Sequence, residues 1–150
     1  MNSSAGDAPS QSGQVCMLPR VVLADQSIAV LDRLEASILD VSRVVGRTTN
    51  AHDAIRSVHR GNPQLAVFDI AIANGVDLLR VVKRHIPPVI AVVLTHSAEE
   101  TTRNYCLRLG AEYFLDKIRD YNQVRQILIA VGNKLAAAPR NRRHSDGLRA

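Results

Sequence analysis

The run Leu65-Ala66-Val67-Phe68 ends in one carboxylate, Asp69, and no other stretch limits the fold so sharply. A short unbroken apolar run bounded by turn signals reads as a strand buried on both faces. Asn62-Pro63 stops what precedes it, and Asn74-Gly75 turns the chain soon after. The expectation is a central parallel strand with Asp69 where it leaves the sheet. In open α/β sheets, ligands bind beyond the carboxyl ends of the strands. Taken alone, Asp69 reads first as a solvated strand-end acid or a cap, and only the rest of the chain reverses that reading.

Four more short apolar runs follow the same plan. Arg20-Val21-Val22-Leu23-Ala24 runs into Asp25-Gln26, and Val44-Val45 is closed by Gly46. Val89 to Leu94 is apolar throughout and ends at Thr95, and Tyr113-Phe114-Leu115 leads to Asp116-Lys117. Between them lie stretches of helical period. Ser27 to Leu39 carries Ile28, Leu31, Leu34 and Ile38; Asn50 caps a helix with Ala51, Ala54, Ile55 and Val58, ended by Gly61. Asn74 caps one with Val76, Leu79, Val82 and Ile86 inward, broken by Pro87-Pro88. Ser97-Ala98-Glu99-Glu100 has the form of a capping box, opening a helix that stops at Gly110. Asp120 caps a last helix with Val124, Ile127, Leu128, Val131 and Leu135 on one stripe. Five strands alternating with five helices imply a doubly wound parallel sheet covered on both faces.

Residues 19–137 form that unit. Residues 1–18, rich in Ser, Gly, Gln and Asn, read as a disordered leader, and residues 138–150 as a basic disordered tail. Of the net charge of +5, Asp7 gives the leader −1, and four arginines against Asp146 give the tail +3. The middle therefore carries an ordinary +3, so nucleic acid is not the expected partner. No apolar run is long enough for a membrane span, and the start lacks the pattern of a secretory signal. Cys16 and Cys106 are too far apart in sequence to suggest a disulfide framework or a metal site. The default location is cytoplasmic.

In a parallel sheet Asp25, Asp69, Thr95 and Lys117 leave on the same edge. Two carboxylates can hold Mg²⁺, a hard cation that takes oxygen ligands. One carboxylate can be the nucleophile toward phosphorus. The Lys117 ammonium and the Thr95 hydroxyl can meet phosphoryl oxygens, and positioning with electrostatics is most of what phosphoryl transfer needs.

The segments VVLAD, LAVFDI, GVDLLR, VVLT and LGAEYFLDK together resemble the response-regulator receiver domain family, in the manner of a stand-alone, chemotaxis-regulator-like receiver, over roughly residues 19–137. The resemblance implies a flavodoxin-like (βα)5 fold with strand order 2-1-3-4-5. It implies that Asp69 is a phosphoacceptor charged by a sensor histidine kinase or a histidine phosphotransfer protein. Thr95 and Lys117 correspond to the phosphate-sensing pair and Phe114 to the aromatic switch position. An output partner would meet the face of the fourth helix, fifth strand and fifth helix, and a homodimer is compatible with it. Such a domain signals by a conformational switch and is not itself an enzyme.

Some positions depart from the family pattern. Gln26 stands where a second acid is usual, so the implied metal set is Asp25, Asp69 and the backbone carbonyl of Ala71, with Gln26 offering only an uncharged oxygen and Mg²⁺ binding expected to be weak. The loop after Asp69 is about two residues short, with Ala73 where proline is common, and Ile118 replaces the proline after the lysine. These departures leave a second expectation open: a degenerate receiver acting as a phosphorylation-independent interaction module. The nucleophile reading and the module reading differ in whether Asp69 forms a labile acyl phosphate.

Overall fold

The computed structural model of the chain describes residues 17–96 and 99–138. Five strands and five helices alternate: β1 (Arg20–Ala24), α1 (Ile28–Ile38), β2 (Arg43–Thr48), α2 (Ala51–Gly61), β3 (Leu65–Phe68), α3 (Gly75–Arg84), β4 (Ile90–Thr95), α4 (Glu100–Arg108), β5 (Tyr113–Asp116) and α5 (Gln123–Ala137). The sheet is wholly parallel with order β2-β1-β3-β4-β5. This is the flavodoxin-like order 2-1-3-4-5 that the resemblance implied. β3 is buried at every residue, as its unbroken apolar run requires.

Strand side chains alternate between two cores. Val22, Ala24, Ala66, Phe68, Ala91, Val93 and Phe114 face α2, α3 and α4. Val21, Leu23, Leu65, Val67, Val92, Leu94 and Leu115 face α1 and α5. A buried aliphatic side chain contributes about 1.5–3 kcal/mol, and apart from Phe68, Phe114 and Cys106 the buried residues of both cores are aliphatic. Among the described residues no helix is long and apolar enough to cross a membrane.

The helix starts follow their caps. The Ser27 hydroxyl accepts from the Val30 N–H at 3.2 Å, and the Asn50 side chain accepts from the Asp53 N–H at 2.8 Å. Several expectations need correction. Gly61 is the last residue of α2, and Asn62 takes the left-handed conformation (φ 45°) that ends it. Gly46 lies within β2, opposite Val22 after a register shift, and a Cβ there would meet Ser57 Cβ at 2.5 Å, so glycine is what lets α2 lie against the strand. Ile28, the first residue of α1, and Ile86, beyond the end of α3, are both exposed because each falls outside the stretch where the helix faces the sheet. Val76 is half-buried, and the inward stripe of α3 is Leu78, Leu79 and Val82. Asn122 rather than Asp120 precedes α5, and Glu99 precedes α4. Ser97 of the expected capping box, residues 1–16 of the leader with Cys16, and residues 139–150 of the tail lie outside the described residues.

The turn after β3 is closed by two backbone bonds, Ile72 N–H to Asp69 O at 3.3 Å and Gly75 N–H to Ile72 O at 2.9 Å. Gly75 packs so tightly that a Cβ would stand 2.3 Å from the Ile70 carbonyl oxygen. Gly75→Ala is therefore expected to cost about 1–3 kcal/mol, the range of an overpacked core position. Urea denaturation measures it, and an unchanged midpoint would contradict this geometry.

Candidate functional site

The four strand-end groups singled out from the sequence all emerge at the carboxyl edge of the sheet. Their backbones are tied to neighbouring strands by bonds that prolong the ladder: Asp25 N–H to Thr48 O at 3.1 Å, Asp69 N–H to Ala24 O at 3.1 Å, and Lys117 N–H to Thr95 O at 2.9 Å. The site thus rides on rigid sheet rather than on free loops.

Three of the side chains meet directly. Lys117 Nζ lies 2.6 Å from Asp25 Oδ2 and 2.7 Å from Asp69 Oδ2. All three residues are buried, with exposures of 4% for Asp25, 9% for Asp69 and 5% for Lys117. The remaining carboxylate oxygens are held by backbone donors, Asp25 Oδ1 by the Ser27 N–H at 2.9 Å and Asp69 Oδ1 by the Ala71 N–H at 2.8 Å. Burial pulls the Lys117 pKa down, but the bonds to Asp25 and Asp69 together outweigh it, and the pKa ends above its ordinary value of 10.5. The ammonium therefore stays charged at neutral pH, and two carboxylates against one ammonium give the cluster a formal charge of −1.

Thr95 is fully buried at the end of β4, on the sheet face that also carries Phe114, since Val93 pairs with Phe114. Phe114 is already inward, at 7% exposure. It lines a cavity of about 320 Å³ with Glu100, Arg103, Asp116, Arg119 and Asp120. Gln26 is exposed beside Asp25, and Ala71 meets Asp69 through its N–H. Ile118 is exposed, and the bond that precedes it is trans.

Two residues shape the loop carrying Lys117: Asp116, to which sequence reasoning assigned no role, and Asp120, which it read as a helix cap. Asp116 Oδ1 accepts from the N–H groups of Ile118 and Arg119 at 2.8 and 2.9 Å, and Asp120 Oδ2 accepts from the Asp116 N–H at 2.9 Å. The Arg119 and Ile118 N–H groups hold the Asp116 carboxyl below its ordinary value of 3.8, and the Asp116 N–H does the same for Asp120. Depressed carboxyl values mean that this support is present above about pH 3.8 and lost as pH falls below it. The signal was in the segment Asp116-Lys117-Ile118-Arg119-Asp120, where aspartates flank a short turn: Asp116 accepts from backbone ahead of it and Asp120 from backbone behind it.

Each carboxylate oxygen of Asp25 and Asp69 has one protein donor and a second lone pair to spare. Two carboxylates with a net negative charge fit a hard divalent cation that keeps several waters and takes one or two carboxylates from the protein. Among the described residues, no group of three or more His, Cys, Asp or Glu side chains comes together as a fuller cage.

Residues 21–129 match the family described as the response regulator receiver domain. The photosynthetic apparatus regulatory protein RegA of Cereibacter sphaeroides is 27% identical over 135 residues, covering 84% of this chain and 73% of RegA. The regulatory protein LuxO of Vibrio cholerae is 31% identical over 115 residues, covering 75% of this chain but 24% of LuxO. Among solved structures, the signal receiver domain of the response regulator NarL from Mycobacterium tuberculosis superposes with a TM-score of 0.70 at 18% identity, over 77% of this chain and 97% of that one.

Proposed function

This chain belongs to the response regulator receiver domain family of two-component signal transduction, and from that premise we propose that Asp69 accepts a phosphoryl group from a phosphohistidine. The donor is a sensor histidine kinase or a histidine phosphotransfer protein. The observation that carries the reading is the buried contact of Lys117 with both Asp69 and Asp25.

In the transfer, an oxygen of the Asp69 carboxylate attacks phosphorus. A P–O bond forms as the P–N bond breaks, and the histidine nitrogen keeps the electron pair. Lys117 turns from the Asp69 oxygen to the incoming phosphoryl oxygens, and the Thr95 hydroxyl donates to one of them. Asp25 and Asp69 are the side chains that would hold Mg²⁺, with the Ala71 carbonyl completing the protein's share and Gln26 adding little. When bound, the ion neutralises charge on the phosphoryl oxygens. The phosphoryl group favours one of two states through contacts with Thr95 and Lys117, and Phe114 passes the difference to the face of α4, β5 and α5, where an output partner or a second copy docks. In this reading the chain acts as a cytoplasmic receiver and a signalling module rather than an enzyme.

Incubation with acetyl phosphate and Mg²⁺ tests the proposal. The expected product is a hydroxylamine-labile acyl phosphate on Asp69. Its absence would favour the interaction-module reading, which draws support from the exposed Gln26 in place of an acid and from a carboxylate pair that Lys117 already bridges.

Gln26→Asp is expected to tighten Mg²⁺ binding. A unit charge about 4 Å from a divalent ion gives roughly 8 kcal/mol of gross attraction at an effective dielectric near 20. Desolvation cancels most of it, leaving about 1–3 kcal/mol, or about fivefold to 150-fold in affinity. Titration of Mg²⁺ into both proteins at equal ionic strength measures the change, and equal affinities would mean that position 26 does not face the ion.

A further inference from the structure

We propose a second, separate metal site: His59 and His85 form a two-histidine surface site for a divalent transition-metal ion of the zinc, nickel or copper class. It lies at the edge of the sheet opposite Asp69. His59 is in the last turn of α2, and His85 follows the last residue of α3, and both helices end where the strands begin.

Three observations carry it. The ring centroids stand 5.7 Å apart, with the planes tilted by 43° rather than stacked. Imidazole nitrogens bind such ions at about 2.0–2.1 Å, which sets each ring centroid about 3.2 Å from the metal and two tetrahedrally placed rings about 5.2 Å apart. The rings thus stand about half an ångström further apart than a tetrahedral pair of ligands would, and side-chain rotation must bring a nitrogen of each toward the ion.

His85 Nδ1 lies 3.0 Å from the Pro87 carbonyl oxygen. A carbonyl can only accept, so Nδ1 carries the proton and Nε2 keeps its lone pair. This is the arrangement in which metal-ligating histidines are fixed by an outer partner. His59 is exposed and His85 is half-buried, so an ion can enter from solvent and complete its shell with water.

Imidazole donors favour zinc, copper and nickel over Mg²⁺, so the site does not compete for the ion suited to Asp25 and Asp69. An ion bound here cross-links the ends of α2 and α3.

The test is a Zn²⁺ titration of the full chain in excess Mg²⁺, read by calorimetry and thermal unfolding. The expected result is one bound ion and a raised melting temperature. His59→Ala and His85→Ala should each weaken binding by at least about tenfold and abolish the thermal shift. His52→Ala and His144→Ala should leave both intact. His59 is exposed, so its variant should fold even if loss of the His85–Pro87 bond disturbs the other. Wild-type affinity in the His59 variant, or loss of the signal only in the His52 or His144 variant, would overturn the proposal.

Discussion

Asp69→Asn is expected to abolish acyl-phosphate formation and leave the fold in place. The effect is all-or-none because the amide is nearly isosteric with the carboxylate but a very poor nucleophile toward phosphorus. Its carbonyl oxygen can still accept the Ala71 N–H, now received by Asp69 Oδ1 at 2.8 Å. The backbone bond from Asp69 N–H to Ala24 O does not involve the side chain at all. Asp25 still pairs with Lys117, so the ammonium is not stranded. Circular dichroism and urea denaturation should therefore show a folded protein, while acetyl phosphate yields no hydroxylamine-labile adduct. Full incorporation in this variant would move the phosphoacceptor elsewhere and remove the basis of the proposed function.

Much of the fold was legible because each strand is a short apolar run ended by a polar group. β1, β3 and β4 are buried along nearly their whole length, so periodicity and burial agree. Legibility failed at element ends. Ile28 and Ile86 continue the helical spacing in sequence, but spacing says nothing about where the sheet beneath stops. Asn62 and Gly61 are both able to end a helix, and only backbone geometry decides between them. Of the site, the common edge for Asp25, Asp69, Thr95 and Lys117 followed from parallel strands alone. Sequence gave no sign that one ammonium would bridge both carboxylates, because that depends on the reach of a side chain from β5 across β4 and β3 to the end of β1. The supporting bonds of Asp116 and Asp120 were missed for a similar reason: Asp120 was read as the start of a helix, and its carboxylate is spent on the loop instead.

Lys117→Met is expected to destabilise the metal-free protein by about 3 kcal/mol or more, the cost of removing one partner from a buried ion pair. Methionine fills similar volume without charge, so the loss is electrostatic rather than a cavity. Asp25 Oδ2 and Asp69 Oδ2 each lie within hydrogen-bond distance of the same nitrogen, and without it two buried carboxylates face each other. Mg²⁺ should then bind more tightly than in wild type, because the competing ammonium is gone, and should restore much of the lost stability by mass action. The pH dependence has a definite sign. The raised pKa of Lys117 means that its contribution is whole below about pH 10.5 and lost as pH rises through the folded value. Wild type should therefore lose stability at alkaline pH in a step that Lys117→Met lacks. Urea denaturation in chelator, then in excess Mg²⁺ at matched ionic strength, measures both effects. A variant as stable as wild type in chelator, with no gain from Mg²⁺, would show that the bridge contributes nothing and that the two carboxylates are relieved by some other route.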